Sequence, residues 1–486
     1  ESAGGSDQLQ QDHYICDGRI QTLHPLFCWH GFRYFETEGP CEVLCAEVIH
    51  TDVAVTSSFS CSDPVLNWLY EAYIRTQLDN YHGCIPSDCP HRERLGYTGD
   101  GQLTAETAML LLDTKELYRK WYQDILDSQG AETGHIPHTA PFLGGGGGPG
   151  GWGCAVYQVP LAWAKIYGDD SLLVQGYDAI LRWFDYMDAH SEKGLVVREE
   201  EGGWCLGDWC FPASEEKEQL PEAFINTFYY LHGLQEMMQI SEKMNNKLPI
   251  QFVEREKNVK NAFLDAYFDP ETGDFCEGRA AGNAYGLALG LGDERTKKHL
   301  VEKYEALERF DTGIFGTSML LEQLFSIGAG DLAVRLLTND SEAASFAHMK
   351  RNGATTLWER WDGRESHNHP MFGACVRLLF TQILGIRMMP AAQPPVVIPT
   401  QPDVNTQPTQ ALKPLNGELQ PPAVPASAQH FSYEIRLSSQ RQLTWAKGSI
   451  QTPDGILSVS WELLENGEKQ VEWSLAPAGE DKVPTM

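Results

Sequence analysis

Two short stretches hold most of the residues able to do chemistry in this chain. The first runs Asp88-Cys-Pro-His-Arg92-Glu93-Arg-Leu-Gly-Tyr97-Thr-Gly-Asp100 and sets three carboxylates and two arginines, Arg92 and Arg94, around a proline and two glycines. A solvated charge run on an open helix face would avoid Pro90 and Gly96, whereas a segment held in a fixed irregular shape uses such residues for its turns. Carboxylates kept among arginines and aromatics are the raw material of acid and base chemistry, because their surroundings can drive their pKa values apart. The competing reading is a structural Asp/Glu–Arg network at a helix entrance, and composition alone does not separate the two. The second stretch is Trp358-Glu359-Arg-Trp361-Asp362-Gly363, followed by Ser366-His367-Asn368-His369. Tryptophans beside Glu359 could stack on a sugar ring and strip water from the carboxylate, although such alternation is more often core against surface. One acidic residue from each stretch suggests a glycosidase pair.

Other loops add aromatic and acidic side chains. The glycine run 144–151 leads into Trp152 and Cys154; no Lys-Ser/Thr follows it and no strand precedes it, so a mobile loop presenting Trp152 is expected rather than a phosphate cradle. Trp204, Asp208 and Trp209 place a carboxylate among tryptophans, where a capping Asp beside a core Trp competes with a ligand contact. His367 and His369 stand two apart and would point to the same side of an extended segment, but no third ligand lies at a recognised spacing. No metal and no cofactor is therefore expected, and His369 reads as a neutral hydrogen-bond partner for a hydroxyl.

The elements that must position these residues change texture along the chain. Segments 29–36 and 41–50 alternate as strands and predict the end of a β-sandwich over 1–58 whose earlier strands lie outside this chain. From Asp63 onward the apolar period is helical, with Ser62 or Asp63 capping before Pro64. Further helices are predicted at 102–112, 114–129, 155–167, 171–190, 221–245, 249–267, 281–291, 295–309, 316–327, 329–337 and 373–384. Helices in that number, joined by Gly/Trp-rich loops, suit an (α/α)6 toroid over 59–389, with the loops of one rim carrying the site. A Pro/Gln-rich linker or strap is expected at 390–428, and a small C-terminal β-sandwich domain at 429–486, where Asp454-Gly455 marks a hairpin. The fold class is thus mainly α, flanked by β-sandwich segments at both ends.

Composition excludes several functions. With 486 residues and a formal charge of −30, the chain is long enough for two or three domains and argues against nucleic acid or an anionic membrane as partner. No run of apolar residues is long enough to span a bilayer. Twelve scattered cysteines make no disulfide framework; Cys41 with Cys45, or Cys205 with Cys210, could bridge, but buried free thiols are expected. The start at Glu1-Ser-Ala reads as a mature or truncated product, which leaves the compartment open between periplasmic or secreted and cytoplasmic, and a homodimer as one option for assembly.

Taken together, 88–100 and 354–363 with 368–373 resemble the two signatures of the α-L-rhamnosidases of glycoside hydrolase family 78. His30-Gly-Phe-Arg-Tyr34, Gly207-Asp-Trp209, Gly313-Ile-Phe-Gly-Thr317 and Trp445-Ala-Lys-Gly-Ser449 extend the resemblance over nearly the whole chain except the Pro/Gln insert. It implies an (α/α)6 barrel with flanking β-sandwiches and inverting, exo-acting hydrolysis of terminal α-L-rhamnose from glycosides or polysaccharides. Carried over by position, Glu93 matches the general acid and Glu359 the general base. Asp88 and Asp100 match acidic residues of the sugar site, and Arg92, Trp152, Asp208, Trp209, Trp358 and His369 match members of the pocket. Inversion needs a protonated carboxyl and an ionised one about 6.5–9.5 Å apart. Asp88 and Asp100 would supply the like-charge repulsion that keeps a carboxyl protonated, with Arg92 or Arg94 limiting it. Cys154 stands where the family usually has an acidic residue, and Tyr97 where Trp is commoner. Two alternatives follow: the same barrel acting on a different terminal sugar, or a carbohydrate-binding homologue without turnover.

Overall fold

The computed structural model describes residues 10–39, 41–143, 149–197, 206–212, 217–243, 248, 250–340, 344–390 and 431–477. Its helices are α1 (Pro64–Asp79), α2 (Thr98–Leu111), α3 (Lys115–Ser128), α4 (Ala155–Tyr167), α5 (Ser171–Ala189), α6 (Glu222–Lys243), α7 (Ile250–Tyr267), α8 (Gly282–Ala288), α9 (Glu294–Leu307), α10 (Ile314–Ser326), α11 (Gly330–Thr338) and α12 (Phe346–Arg351). Local chemistry accounts for several ends. Asp63 accepts from the Val65 and Leu66 amides and Pro64 occupies the first turn, so α1 starts where its cap predicts. Gly168 closes α4 in the left-handed conformation.

Departures from the sequence reading have tertiary causes. Helix α2 begins a turn before the expected residue 102, through Thr98-Gly-Asp-Gly101, a stretch of poor intrinsic propensity. Those glycines are there for packing: a Cβ on Gly99 would lie 2.5 Å from the Trp152 ring, and one on Gly101 2.2 Å from Trp121. The helix predicted at 373–384 is instead a 3-10 turn, Met371–Val376, and a π turn, Leu379–Ile383. The Gly373 amide bonds to the Pro370 carbonyl three residues back, which starts the tighter winding. Helix α12, capped by Ser345, had no expectation attached to it.

Six elements pack one against the next. Helix α2 packs against α4 on one side and against Met371–Val376 on the other; that 3-10 turn packs against α10, and α10 against α8. Helix α6 joins the two ends. The Tyr157 hydroxyl of α4 donates to the Tyr229 carbonyl of α6 at 3.0 Å, and Phe228 of α6 meets Tyr285 of α8 edge to face at 4.7 Å. Helices α3, α7 and α9 pack outside α4, α6 and α8 respectively.

Short hairpins sit on three connections between these layers: β1/β2 (Tyr81–His82, Ile85–Pro86), β3/β4 (Ser191–Glu192, Leu195–Val196) and β5/β6 (Phe268–Asp269, Asp274–Phe275). The C-terminal residues Trp445–Thr452, Gly455–Leu463 and Lys469–Ala476 form an antiparallel meander whose first hairpin turns through Pro453-Asp454, one residue before the expected Asp454-Gly455, with Gly455 paired to Thr452. Ser57–Cys61 pairs with its first strand, and Ile386–Pro390 pairs with Phe431–Ile435. The strands predicted as a separate C-terminal unit thus draw a strand from before the first helix, and Trp461 donates to the Ile383 carbonyl at 2.8 Å within one continuous apolar core. Residues 10–39 and 41–56 differ from the strand prediction: apart from a single bridge at Val55, no ladder forms there among the described residues. Strands hold only when paired and covered, and here Ile15, Ile20, Phe27 and Val48 stay exposed. The predicted 390–428 linker falls, from 391 on, outside the described residues, as do Gly144–Gly148 and Cys205. Cys41, Cys45 and Cys210 are free thiols, and among the described residues no helix is long and apolar enough to cross a membrane.

Candidate active site

The two chemistry-bearing stretches lie some 270 positions apart and meet at the N-terminal ends of the packed elements. Asp100 lies in the first turn of α2, Trp152 just before α4, and His369 just before Met371–Val376. Segment 88–95 is closed on itself at the base: the Asp88 amide bonds to the Leu95 carbonyl at 3.0 Å, and the Leu95 amide to Asp88 Oδ1 at 2.9 Å. Arg94, at positive φ, carries its guanidinium 3.7 Å over the Trp29 ring. The second segment is pinned by a reciprocal pair, Glu359 amide to Ser366 carbonyl and Ser366 amide to Glu359 Oε2, at 2.8 and 3.0 Å.

Arg92 joins the two. Its buried Nη2 lies 3.1 Å from Glu93 Oε1 and 3.1 Å from Glu359 Oε2, so those oxygens are no more than twice that distance apart. Its Nη1 bonds Glu365 at 2.6 Å. Glu365 was not anticipated, because only the fold turns it toward Arg92. His369 makes the second link, with Nε2 2.9 Å from Asp100 Oδ1 and Nδ1 3.6 Å from Glu359 Oε2.

This environment corrects the reading of His369 as a neutral partner. Burial works against its charge, but Glu359, Asp100 and Asp88 outweigh burial and raise it to about 9. The raised carboxyl of the cluster is Asp88: burial first, then Glu93 and Asp100, push it up to about 7, while His369 pulls it back. A raised histidine stabilises the fold fully below its ordinary 6.5 and loses that contribution as pH climbs through about 9. Ionising Asp88 within the fold costs stability between its ordinary 3.8 and about 7. Both effects lower stability as pH rises. Thermal unfolding between about pH 6 and about pH 10 should therefore show Tm falling on the alkaline side, and His369→Asn should flatten that fall. A slope unchanged by the substitution assigns the loss to another group.

The remaining expected members are placed differently from one another. Asp208 is buried, and its oxygens accept from the backbone amides of Gly313, Phe315 and Gly316 at 2.8, 2.9 and 3.0 Å. It caps α10, the capping role rather than the ligand contact; burial raises it to about 6 while those amides hold it down. Trp209 is half-buried beside it, its carbonyl accepting from the Ile314 amide. Trp152 is buried, not presented by an open loop: it packs between Gly99, His138 and Phe315, and its buried Nε1 has no partner among the described residues. Trp358 is buried with His367 stacked on its face at 4.6 Å. Trp361 stacks on Phe310 and donates to the Thr312 carbonyl, tying the second stretch to the α10 entrance. His367 bonds the Gly363 carbonyl, so the two histidines do not share a site. Cys154 turns into the core, its thiol donating to the Gly151 carbonyl at 3.3 Å, which removes the geometric ground for a pocket role. Asp88, Cys89 and His369 each bring one possible ligand atom within 4.8 Å of the others.

The fold is mainly helical, with a carboxylate and arginine cluster gathered at the N-terminal ends of its packed elements. Residues 54–383 match the model of the bacterial alpha-L-rhamnosidase 6 hairpin glycosidase domain, and residues 5–55 that of the bacterial alpha-L-rhamnosidase concanavalin-like domain. The chain belongs to the bacterial α-L-rhamnosidase family. It is 30% identical over 420 residues to an alpha-L-rhamnosidase of Streptomyces avermitilis, covering 80% of this chain and 39% of that protein. In structure it is similar to Streptomyces avermitilis alpha-L-rhamnosidase complexed with L-rhamnose, with TM-score 0.71, 24% identity, and 86% of this chain against 37% of that one. It is also similar to the alpha-L-rhamnosidase from Dictyoglumus thermophilum, with TM-score 0.70, 25% identity, and 86% against 44%. The chain spans about two fifths of the length of the curated relatives it matches.

Proposed function

We propose that this chain carries the catalytic site of an exo-acting, inverting α-L-rhamnosidase built on an (α/α)6 toroid. The ring of α2, α4, α6, α8, α10 and the 371–383 segment, with helices outside it, supports the toroid. The observation that carries the chemistry is Arg92 Nη2 touching one carboxylate from each stretch, Glu93 and Glu359, at equal distance. In this reading Glu93 gives its proton to the glycosidic oxygen. Glu359 takes a proton from the water that attacks the anomeric carbon on the opposite face, and the sugar leaves with inverted configuration.

Glu359 Oε2 accepts from the Ser366 amide and from Arg92, with His369 Nδ1 3.6 Å away, and in this reading Oε1 is the oxygen that takes the proton of the water. The attacking water of an inverting route sits between carboxyls about 6.5–9.5 Å apart. In this reading Asp88, Asp100 and the unpartnered Trp152 Nε1 serve the ring hydroxyls, and a terminal rhamnose of a glycoside or polysaccharide is the proposed substrate. Hydrolysis of an aryl α-L-rhamnoside followed by NMR tests the reading: the β-anomer should form first and mutarotate later. Initial α-anomer, or no hydrolysis by a folded protein that still binds rhamnose, overturns it.

A further inference from the structure

We propose that Asp88, Cys89 and His369 form a binding site for a soft divalent cation, typified by Zn2+, whose occupation shuts the active site. The shut-down rests on the proposed function; the binding does not. A carboxylate, a thiol and an imidazole are a donor set suited to zinc. All three residues are buried, and their candidate ligand atoms lie within 4.8 Å of one another. Bonds of about 2.0–2.3 Å to a shared metal place donors at most about 4.5 Å apart, so only a small contraction is needed. A buried cysteine ordinarily acts as a small apolar filler. Cys89 instead aims its thiol at Asp88 Oδ2, 3.0 Å away. His369 adds a buried Nδ1 with no hydrogen-bond partner among the described residues.

Binding releases the thiol proton and the proton of the coordinating ring nitrogen to solvent and forms Zn–S, Zn–N and Zn–O bonds, with no electron transfer. Burial and the Asp88 charge hold the thiol proton tightly. Occupation would draw His369 off Asp100 and Glu359, the contacts that organise the proposed base. Oxygen-preferring Mg2+ and Ca2+ should not substitute.

The test is a Co2+ titration followed through the thiolate-to-metal absorption in the near ultraviolet, with Zn2+ displacing it, beside Zn2+ inhibition of aryl rhamnoside hydrolysis and its reversal by EDTA. The wild type should show the band saturating at one equivalent, and Cys89→Ser should lose it and weaken Zn2+ inhibition by at least about tenfold. No band in the folded wild type overturns the proposal. So does a band that survives Cys89→Ser, which would belong to the exposed Cys16, Cys28, Cys41 or Cys45. Should Cys89→Ser fail to fold, His369→Asn read by the cobalt spectrum alone must weaken binding, and equal affinity overturns the site. The spectrum reports metal at Cys89 whether or not the protein hydrolyses rhamnosides, so the two readings fail separately.

Discussion

Glu359→Gln should lower kcat on an aryl α-L-rhamnoside by about 10²–10⁴-fold while leaving the fold intact. The amide oxygen of glutamine can still accept at the Oε2 position, where Ser366 and Arg92 donate, so the local bonds survive. What disappears is the basic oxygen that takes the proton from the attacking water. Because that step is common to every substrate, the loss should be similar for nitrophenyl and alkyl rhamnosides. Glu93→Gln should behave differently. A nitrophenolate leaves without help, so this variant should retain much of its rate on that substrate and lose the full factor on alkyl glycosides, where the leaving oxygen needs a proton. Rates on both substrate types for both variants check the assignment. Equal losses for Glu93→Gln on good and poor leaving groups would remove it as the acid, and wild-type turnover in Glu359→Gln would remove Glu359 as the base.

Asp208→Ala should destabilise the protein by about 3 kcal/mol or more, since it strips the acceptor from three backbone amides that are buried at the start of α10. Asp208→Asn keeps one acceptor oxygen and should cost less. The distinguishing feature is where the loss appears. If Asp208 only holds α10, Asp208→Asn should lower the denaturation midpoint while KM for the rhamnoside in the surviving folded protein changes little. A KM rise with an unchanged midpoint would return Asp208 to the sugar pocket. The neighbouring contacts make the stability outcome the expected one, because both carboxylate oxygens are held by backbone amides of the α10 entrance.

Much of the helical scaffold was legible in the chain, because helices such as α3 and α5 bury a stripe at helical spacing, α1 and α9 start at a capping Asp, and α4 stops at a glycine. Helix α4, expected at 155–167, occupies Ala155–Tyr167. The two acidic stretches were legible for another reason: their prolines, glycines and charges are unaffordable in an ordinary helix, which marks them as positions shaped for something else. What local pattern could not supply was any contact between residues far apart. Gly99 and Gly101 looked like the end of a loop because their helix is stabilised by Trp152 and Trp121, which arrive from elsewhere. The strands before residue 57 looked like a sheet because alternation reports two faces, while a ladder needs partners that the described residues do not provide.

The chain by itself therefore determined which residue types were available for acid and base chemistry, and on which entrances to which helices they stand. Only the tertiary structure decided their roles. It brought Glu93, Glu359 and Glu365 onto one arginine. It set carboxylates at both ring nitrogens of His369, and it turned Asp208 onto backbone amides at the entrance of α10. The physical reason is the same in each case: charge state and hydrogen-bond partnership depend on distances of a few ångströms and on burial, and neither is a property of local sequence.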